Sequence, residues 1–306
     1  MEERLKISKL KIFKKGSKTY YNSARFFKDD VKKDVITLYS FVRVADNLVD
    51  SIPQKVSEFV EFRNETERAL KSGKSKDPII NDMVELSLRR GFNRDWIMSF
   101  LKSMEMDLYF RKYTRIEETV EYMYGSAEVI GLMMSKIMDL PYQALFHARM
   151  LGRTMQFINF IRDISEDISL GRQYIPHEDL ERFGLKSLDY EETSANREKF
   201  KALMRFEIER FREWNKFGEE GFTYIDRKNL LPVKVATDMY KWTAWKISRN
   251  PFVVYRKKVK PSKARILADV VKIRLNSSRC VRDIKGMNGK QMIEIEFEKV
   301  REEIHA

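Results

Sequence analysis

Two groups of oxygen-bearing side chains stand four residues apart in segments that are otherwise rich in apolar residues. Asp46 and Asp50 lie in VRVADNLVD, and Asn159, Asp163 and Asp167 lie in NFIRDISEDIS. Residues i and i+4 share one face of an α-helix, so each group is expected to form a stripe. Two stripes facing each other would build a negative pocket, and a divalent cation would offset the repulsion.

The ligand types in these stripes favour a hard cation, Mg²⁺ with Mn²⁺ as the alternative, over zinc. Only oxygen donors are present, and neither cysteine nor a pair of histidines accompanies them. Mg²⁺ commonly bridges carboxylates and substrate phosphates, and Arg43, Arg162 and Arg172 stand beside the stripes. Carboxylates, metal and arginines together could hold a diphosphate as a leaving group. The alternative interpretation is that these are solvated helix faces with ordinary salt bridges.

Helices are needed to carry the stripes, and the spacing of apolar residues predicts them along most of the chain. The predicted helices cover residues 20–50 (with a break), 53–70, 79–90, 95–110, 117–138, 142–169, 192–218, 231–248 and 265–275. No series of alternating strands stands out. We therefore predict an all-α fold with one domain over residues 1–306, and with a basic C-terminal segment from about residue 256 onward.

The composition limits the classes of partner that we expect but does not select one of them. The net charge of +13 would attract nucleic acid, anionic lipid or phosphorylated small molecules. The single cysteine, Cys280, excludes a disulfide framework within the chain, so we expect a cytoplasmic protein without a disulfide-linked partner. Neither a secretory signal nor an apolar run long enough to span a bilayer is present. The segment RKKVKPSKARILADVVKIRL is interpreted either as a solvated face or as a peripheral membrane contact.

The motifs, taken in order, resemble those of the phytoene/squalene synthase family, the head-to-head isoprenyl diphosphate synthases. The two aspartate motifs are LYSFVRVADNLVD and QFINFIRDISEDISLGRQYIP, and YMYGSAEVIGLMM between them is similar to the family's pocket segment. GSKTYYNSARFF resembles its N-terminal motif, while LLPVKVATDMYKW and FVVYRKKVKPSK resemble its C-terminal motifs. The resemblance covers roughly residues 16–267.

The resemblance implies a helical isoprenoid synthase fold around a central cavity, and a Mg²⁺-dependent reaction in two steps. One allylic diphosphate ionises, and the double bond of a second molecule attacks to give a cyclopropylcarbinyl diphosphate. A second ionisation and rearrangement then joins the two C1 carbons. Phytoene synthases finish by losing a proton, whereas squalene synthases accept hydride from NADPH.

The resemblance also implies roles for individual residues. Metal ligands would be Asp46, Asp50, Asn159, Asp163 and Asp167. The catalytic set would comprise these four aspartates with Tyr39, Arg43 and Tyr240. Substrate would be bound by Ser17, Thr19, Tyr20, Tyr122, Gly131, Gln156, Asn159, Arg162, Arg172, Tyr174, Lys257, Lys258 and Arg265.

Three positions depart from the family's pattern. Asn47 replaces a second aspartate in the first motif, which leaves the outer pair in place. Glu128 stands where a small residue is usual, and it would either pair with a nearby arginine or alter the pocket. Lysines in the C-terminal motif replace arginines, which keeps the charge and loses bidentate geometry.

The expected reaction is the condensation of two geranylgeranyl diphosphates to phytoene, because GSAEVIGLMM is most similar to phytoene-type members. No Gly-rich dinucleotide fingerprint is present, so we expect no NADPH. A squalene or dehydrosqualene synthase acting on farnesyl diphosphate is the alternative. A hypothesis from another functional class is a non-catalytic, basic protein that binds nucleic acid. Only the net charge supports it, and we expect no nucleic-acid partner.

Overall fold

A computed structural model of the protein describes residues 24–109 and 111–279. Helices make up almost all of the regular structure in these residues, which confirms the predicted all-α class. The α-helices are α1 (Asp29–Asp50), α2 (Val56–Ser72), α3 (Pro78–Arg90), α4 (Arg94–Met106), α5 (Ile116–Met123), α6 (Val129–Ile137), α7 (Ala144–Arg162), α8 (Ile164–Ser169), α9 (His177–Arg182), α10 (Tyr190–Ala195), α11 (Arg197–Glu220), α12 (Arg227–Arg249) and α13 (Lys263–Arg279). A π-helical turn (Tyr124–Glu128) joins α5 to α6, and 3₁₀ turns follow α11 (Gly221–Tyr224) and α12 (Pro251–Tyr255).

Local sequence signals account for several helix ends. The carboxylate of Asp77 accepts hydrogen bonds from the first backbone N–H groups of α3, and Pro78 occupies the first turn. Asp226 caps α12 in the same way. Gly91 ends α3 with a φ of 63°, a left-handed conformation that glycine adopts without strain. These helix ends therefore follow from the local sequence.

The predicted helix over residues 142–169 is wrong as one continuous element. It breaks at Asp163, where φ is −101° and ψ is 16°, and α8 begins at the next residue. The Arg162 guanidinium bonds both oxygens of Asp163, at 2.8 and 2.5 Å, and adjacent side chains do not face each other on a regular helix. The backbone bonds Asp163 N to Asn159 O and Asp167 N to Asp163 O nevertheless persist at 2.8 Å, so the stripe survives the break.

The predicted helix over residues 117–138 also differs from the structure, because the π-helical turn interrupts it. Gly125 in this turn lies against α4, and an added Cβ would come within 2.2 Å of the Ser99 carbonyl oxygen. The π-helical turn therefore packs so closely against α4 that there is no room for a side chain at this position. A π-helical turn shifts the register of the residues that follow, and such turns are common at functional sites.

Helix α7 lies at the centre of the packing, between α6 and α11. An added Cβ on Gly131 of α6 would lie 2.1 Å from the carbonyl oxygen of Ala148, and one on Gly218 of α11 would lie 3.1 Å from Leu151. Glycine at these positions lets the neighbouring helices approach the α7 backbone. The second acidic stripe is therefore carried by a helix that is held on two sides.

Two short parallel strands bring distant segments together beside α1. β1 (Arg111–Lys112) pairs with β2 (Arg172–Gln173), with Arg111 opposite Arg172. This pairing fixes the segment that follows α8 against the segment that follows α4. None of the helices in residues 24–109 and 111–279 is long and apolar enough to cross a membrane.

Candidate active site

Both acidic stripes line one cavity of about 750 Å³. Asp46 and Asp50 enter it from α1, and Asn159, Asp163 and Asp167 enter it from α7, the break and α8. The two groups are more than a hundred positions apart in the chain, since even Asp50 and Asn159 are separated by 109 residues. Tertiary packing thus brings the two predicted stripes to the same cavity.

Arginines pair with three of the four aspartates. Arg43 pairs with Asp46 one turn along α1, and Arg162 pairs with Asp163. The guanidinium of Arg172, only 7% exposed, donates to the Asp50 carboxylate at 2.6 Å and to two backbone carbonyls. Each pair places a phosphate-binding group beside a potential metal ligand. The side chains predicted to bind diphosphate therefore stand among the predicted metal ligands.

The cavity disfavours several of the negative charges that it contains. Desolvation, with the neighbouring Asp50 carboxylate, raises the pKa of Asp46 to about 7. Desolvation and the nearby Asp163 raise the pKa of Asp167 as well. In addition, the Oδ1 atom of Asn159 is buried without a hydrogen-bond partner. Carboxylates with raised pKa values beside an unsatisfied amide oxygen form a donor set that a bound cation would stabilise.

These observations fit a hard divalent cation bound by oxygen atoms. Among the described residues, no group of three or more His, Cys, Asp or Glu side chains is gathered closely enough to hold a metal ion on its own. The aspartates are instead engaged by arginines. A ligand set completed by substrate phosphate oxygens is the usual arrangement for Mg²⁺, and it suits carboxylates that are spread along two helices.

Asp107 is a buried cavity residue that the sequence analysis missed. Its carboxylate accepts hydrogen bonds from the Tyr122 hydroxyl at 2.6 Å and the Tyr174 hydroxyl at 2.7 Å. Its backbone carbonyl accepts from Arg172 at 3.1 Å. Burial raises the pKa of Asp107 to about 6, against the opposing effects of Arg172 and the two tyrosines. Asp107 thereby fixes two predicted substrate-binding tyrosines and the arginine that holds Asp50.

Replacing Asp107 with leucine should lower the free energy of unfolding by about 2–5 kcal/mol, because two buried hydroxyls lose their acceptor. Denaturant unfolding measures this loss. The matched background is the Tyr122→Phe/Tyr174→Phe protein, in which the same Asp107→Leu change should cost at least ~2 kcal/mol less. An equal cost in both backgrounds would show that the two hydroxyls do not depend on Asp107.

The remaining predicted residues divide by position. Those that line the cavity are Tyr39, Arg43, Tyr122, Gly131, Gln156, Arg162, Arg172, Tyr174, Tyr240 and Lys258. Lys257 and Arg265 are exposed and do not line it, and Arg265 lies instead over the Trp242 ring at 5.1 Å. Ser17, Thr19 and Tyr20 lie outside the described residues, as does Cys280. The assigned roles of all these residues stay predictions.

Basic residues beyond the predicted set also line the cavity. Lys260 and Lys263 join Lys258 there, and Lys258 contacts Glu166 and lies 3.4 Å from Asp163. The spacing of the lysines in KKVKPSK was visible in the sequence. Which of them faces the cavity depends on how the irregular segment before α13 folds back, and spacing does not decide that.

Glu128 forms an ion pair, as one of its two interpretations expected. Its carboxylate is fully buried and accepts from Arg149 at 2.8 Å and from Arg153 at 2.7 Å. Both arginines lie on α7, so this residue ties the π-helical turn to the helix that carries Asn159. Glu128 is absent from the cavity lining, where Ala127 and Ile130 stand instead.

Comparison with known proteins identifies the family. A family profile described as squalene/phytoene synthase matches residues 13–265. The chain belongs to the squalene/phytoene synthase family. It is 28% identical over 258 residues to a 15-cis-phytoene synthase of Synechocystis, covering 79% of this chain and 76% of that protein. It is 24% identical to a 15-cis-phytoene synthase of Synechococcus elongatus, covering 79% of this chain and 83% of the relative.

Solved structures confirm the predicted isoprenoid synthase fold. A crystal structure of a dehydrosqualene synthase in complex with ligand superposes with a TM-score of 0.78 at 20% identity, covering 89% of this chain and 96% of the other. A squalene synthase from Alicyclobacillus acidocaldarius gives 0.71 at 18% identity, covering 79% and 92%. The family match and the phytoene synthase relatives together confirm the prediction of a prenyltransferase of the phytoene synthase type.

Proposed function

We propose that this family member is a Mg²⁺-dependent phytoene synthase that condenses two geranylgeranyl diphosphates head to head. The family and the names of its relatives support the reaction type. The observation that carries the proposal is one cavity that contains both acidic stripes and an apolar section, here called the tunnel, lined on α7 by Ala144, Ala148, Leu151, Gly152 and Met155. A diphosphate and a long hydrocarbon tail require these two surfaces in one continuous space.

The face of α7 that lines the tunnel is long enough for a C20 chain. The α7 residues that line the cavity recur every three or four positions from Arg162 back to Ala144. At 1.5 Å per residue, the face from Asn159 to Ala144 measures about 22 Å. An extended C20 prenyl chain measures ~19 Å from C1 to its end, at about 1.25 Å per carbon–carbon bond, and a C15 chain ~14 Å. The longer substrate therefore uses the length available.

The residues around the acidic end would bind and ionise the diphosphate. Arg43, Arg162 and Arg172 are placed to donate hydrogen bonds to phosphate oxygens when they leave their aspartate partners. Mg²⁺ held by the two stripes would supply the positive charge that stabilises the departing diphosphate. The three arginines would then hold the released diphosphate at the acidic end, away from the apolar tunnel.

Stacked aromatic rings stand beside the acidic end. Phe160 and Tyr174 stack at 4.1 Å with an interplanar angle of 10°, and Tyr122 lies 5.0 Å from Tyr174. Ring faces attract cations, most strongly where water is excluded. These rings would therefore stabilise carbocations while offering no nucleophile more reactive than a hydrogen-bonded phenol.

The proposal is tested by product analysis with the full-length protein. Purified enzyme with Mg²⁺ should convert geranylgeranyl diphosphate to a C40 hydrocarbon without NADPH, as detected by mass spectrometry, and chelation of the metal should abolish product. Farnesyl diphosphate, with and without NADPH, is run in parallel. Product from the C15 substrate alone would replace the proposal with the squalene or dehydrosqualene synthase alternative.

A further inference from the structure

We infer that the side chain at Ala148 sets the longest prenyl chain that the tunnel accepts, an inference that rests on the proposed function. Ala148 lines the cavity on the tunnel face of α7, eleven positions before Asn159 and four after Ala144. It is one of the small residues on this face, with Ala144 and Gly152. Its size therefore determines whether the space continues beyond its level.

The distances place Ala148 between the ends of the two candidate substrates. Asn159 is the predicted metal ligand nearest the apolar part of α7, so the C1 carbon of a bound substrate is taken at its level. Ala148 then lies about 16 Å along the helix axis, and Ala144 about 22 Å. A C15 chain ends at ~14 Å, short of Ala148, whereas a C20 chain ends at ~19 Å, between the two alanines.

The walls at this level cannot move apart to admit a larger side chain. Gly131 of α6 approaches the Ala148 backbone so closely that an added Cβ would lie 2.1 Å from the Ala148 carbonyl oxygen. One turn further, Gly152 makes the corresponding approach to Ala127, at 2.4 Å. These two backbone contacts, four residues apart, hold α6 and the π-helical turn before it closely against α7.

The turn and α7 are also held together by charge. Glu128, at the end of the π-helical turn before α6, bonds Arg149 and Arg153, which directly follow Ala148 and Gly152 on α7. Separating the helices would break a buried ion pair. A larger side chain in place of Ala148 must therefore project into the tunnel, where it would occupy the space of the last isoprene unit of a C20 chain.

The test compares Ala148→Leu with Ala144→Leu, the same substitution one turn further along the same face. We measure kcat/KM of each full-length protein with the C15 and the C20 diphosphate and take the C15/C20 ratio. Ala148→Leu should raise this ratio by at least ~10-fold relative to wild type, because a single methylene in a tight apolar pocket is already worth about 10–200-fold. Ala144→Leu should raise it by less than ~3-fold, because the chain ends before that level.

Ala148→Val serves as a smaller step should leucine impair folding, and it should give an intermediate ratio at an unchanged unfolding midpoint. Equal ratios for Ala148→Leu, Ala144→Leu and wild type, in an enzyme that makes C40 product, would overturn the inference while leaving the proposed function intact. A wild-type enzyme that couples only the C15 substrate would overturn both, because the tunnel would then not admit the longer chain at all.

Discussion

Asp163→Asn and Asp46→Asn should each lower the rate of diphosphate release by at least ~10²–10³-fold while the protein stays folded. The cost of losing a single electrostatic stabiliser of a developing charge is of this size. Asparagine keeps the shape of the side chain, but it removes the negative charge that a Mg²⁺ ligand must carry. The two variants probe the two different stripes of the cavity, so parallel losses would indicate that both stripes serve one reaction.

The measurement is steady-state release of diphosphate with the C20 substrate and Mg²⁺, accompanied by the unfolding midpoint of each variant. Asp139→Asn is the matched control: Asp139 is exposed at 79%, lies outside the cavity lining and has a φ of 53°, which asparagine tolerates. Its turnover should stay within ~2-fold of wild type. Wild-type turnover in both Asp163→Asn and Asp46→Asn would refute the metal-binding roles.

A second readout separates binding from chemistry. Calorimetric binding of inorganic diphosphate should depend on Mg²⁺ in the wild-type protein and should weaken at least ~10-fold in Asp163→Asn. Binding that is unchanged, together with lost turnover, would place Asp163 in the reaction but outside the metal site.

Glu128→Gln should lower the free energy of unfolding by about 3 kcal/mol. The carboxylate is fully buried and neutralises Arg149 and Arg153, which would otherwise face each other as like charges. Breaking a buried pair by removing one partner costs about 3–5 kcal/mol. The lower end is expected because Arg149 is 40% exposed and regains water.

Denaturant unfolding at neutral pH measures this effect, with Glu121→Gln as the control on the neighbouring helix. Glu121 is 74% exposed and only 3.9 Å from Lys102, so its replacement should change stability by less than ~0.5 kcal/mol. Equal stability of the Glu128→Gln and Glu121→Gln proteins would mean that Glu128 merely fills space.

Several features of this protein depend on residues close together in the chain and could be predicted from the sequence. The four-residue spacing of Asp46 with Asp50, and of Asp163 with Asp167, defines stripes on any helix. Helix ends at Asp77 and Gly91 follow from capping, and the order of the motifs identifies the family. For Glu128 the sequence offered two interpretations, an ion pair with an arginine or an altered pocket, and the structure shows the ion pair.

Other features depend on contacts between residues far apart in the chain. Asp107 carries no spacing signal in SMEMDLYF, and its importance arises only when Tyr122 and Tyr174 donate to it. Arg172 was predicted to bind substrate, but its pairing with Asp50 spans 122 positions. The break at Asp163 involves only neighbouring residues. The spacing of apolar residues does not reveal it, because the four-residue backbone hydrogen bonds continue on both sides of the break.

The amino-acid sequence determined the helical class, the ligand types and their spacing along each helix, because these depend on neighbours within a turn or two. Tertiary structure alone decided that both stripes face one cavity, that Lys258 faces it while Lys257 does not, and that the tunnel continues past Ala148. The physical reason is that the walls of a cavity form where separate helices pack against each other. How closely these helices pack depends on glycines that contact the backbone of another segment of the chain.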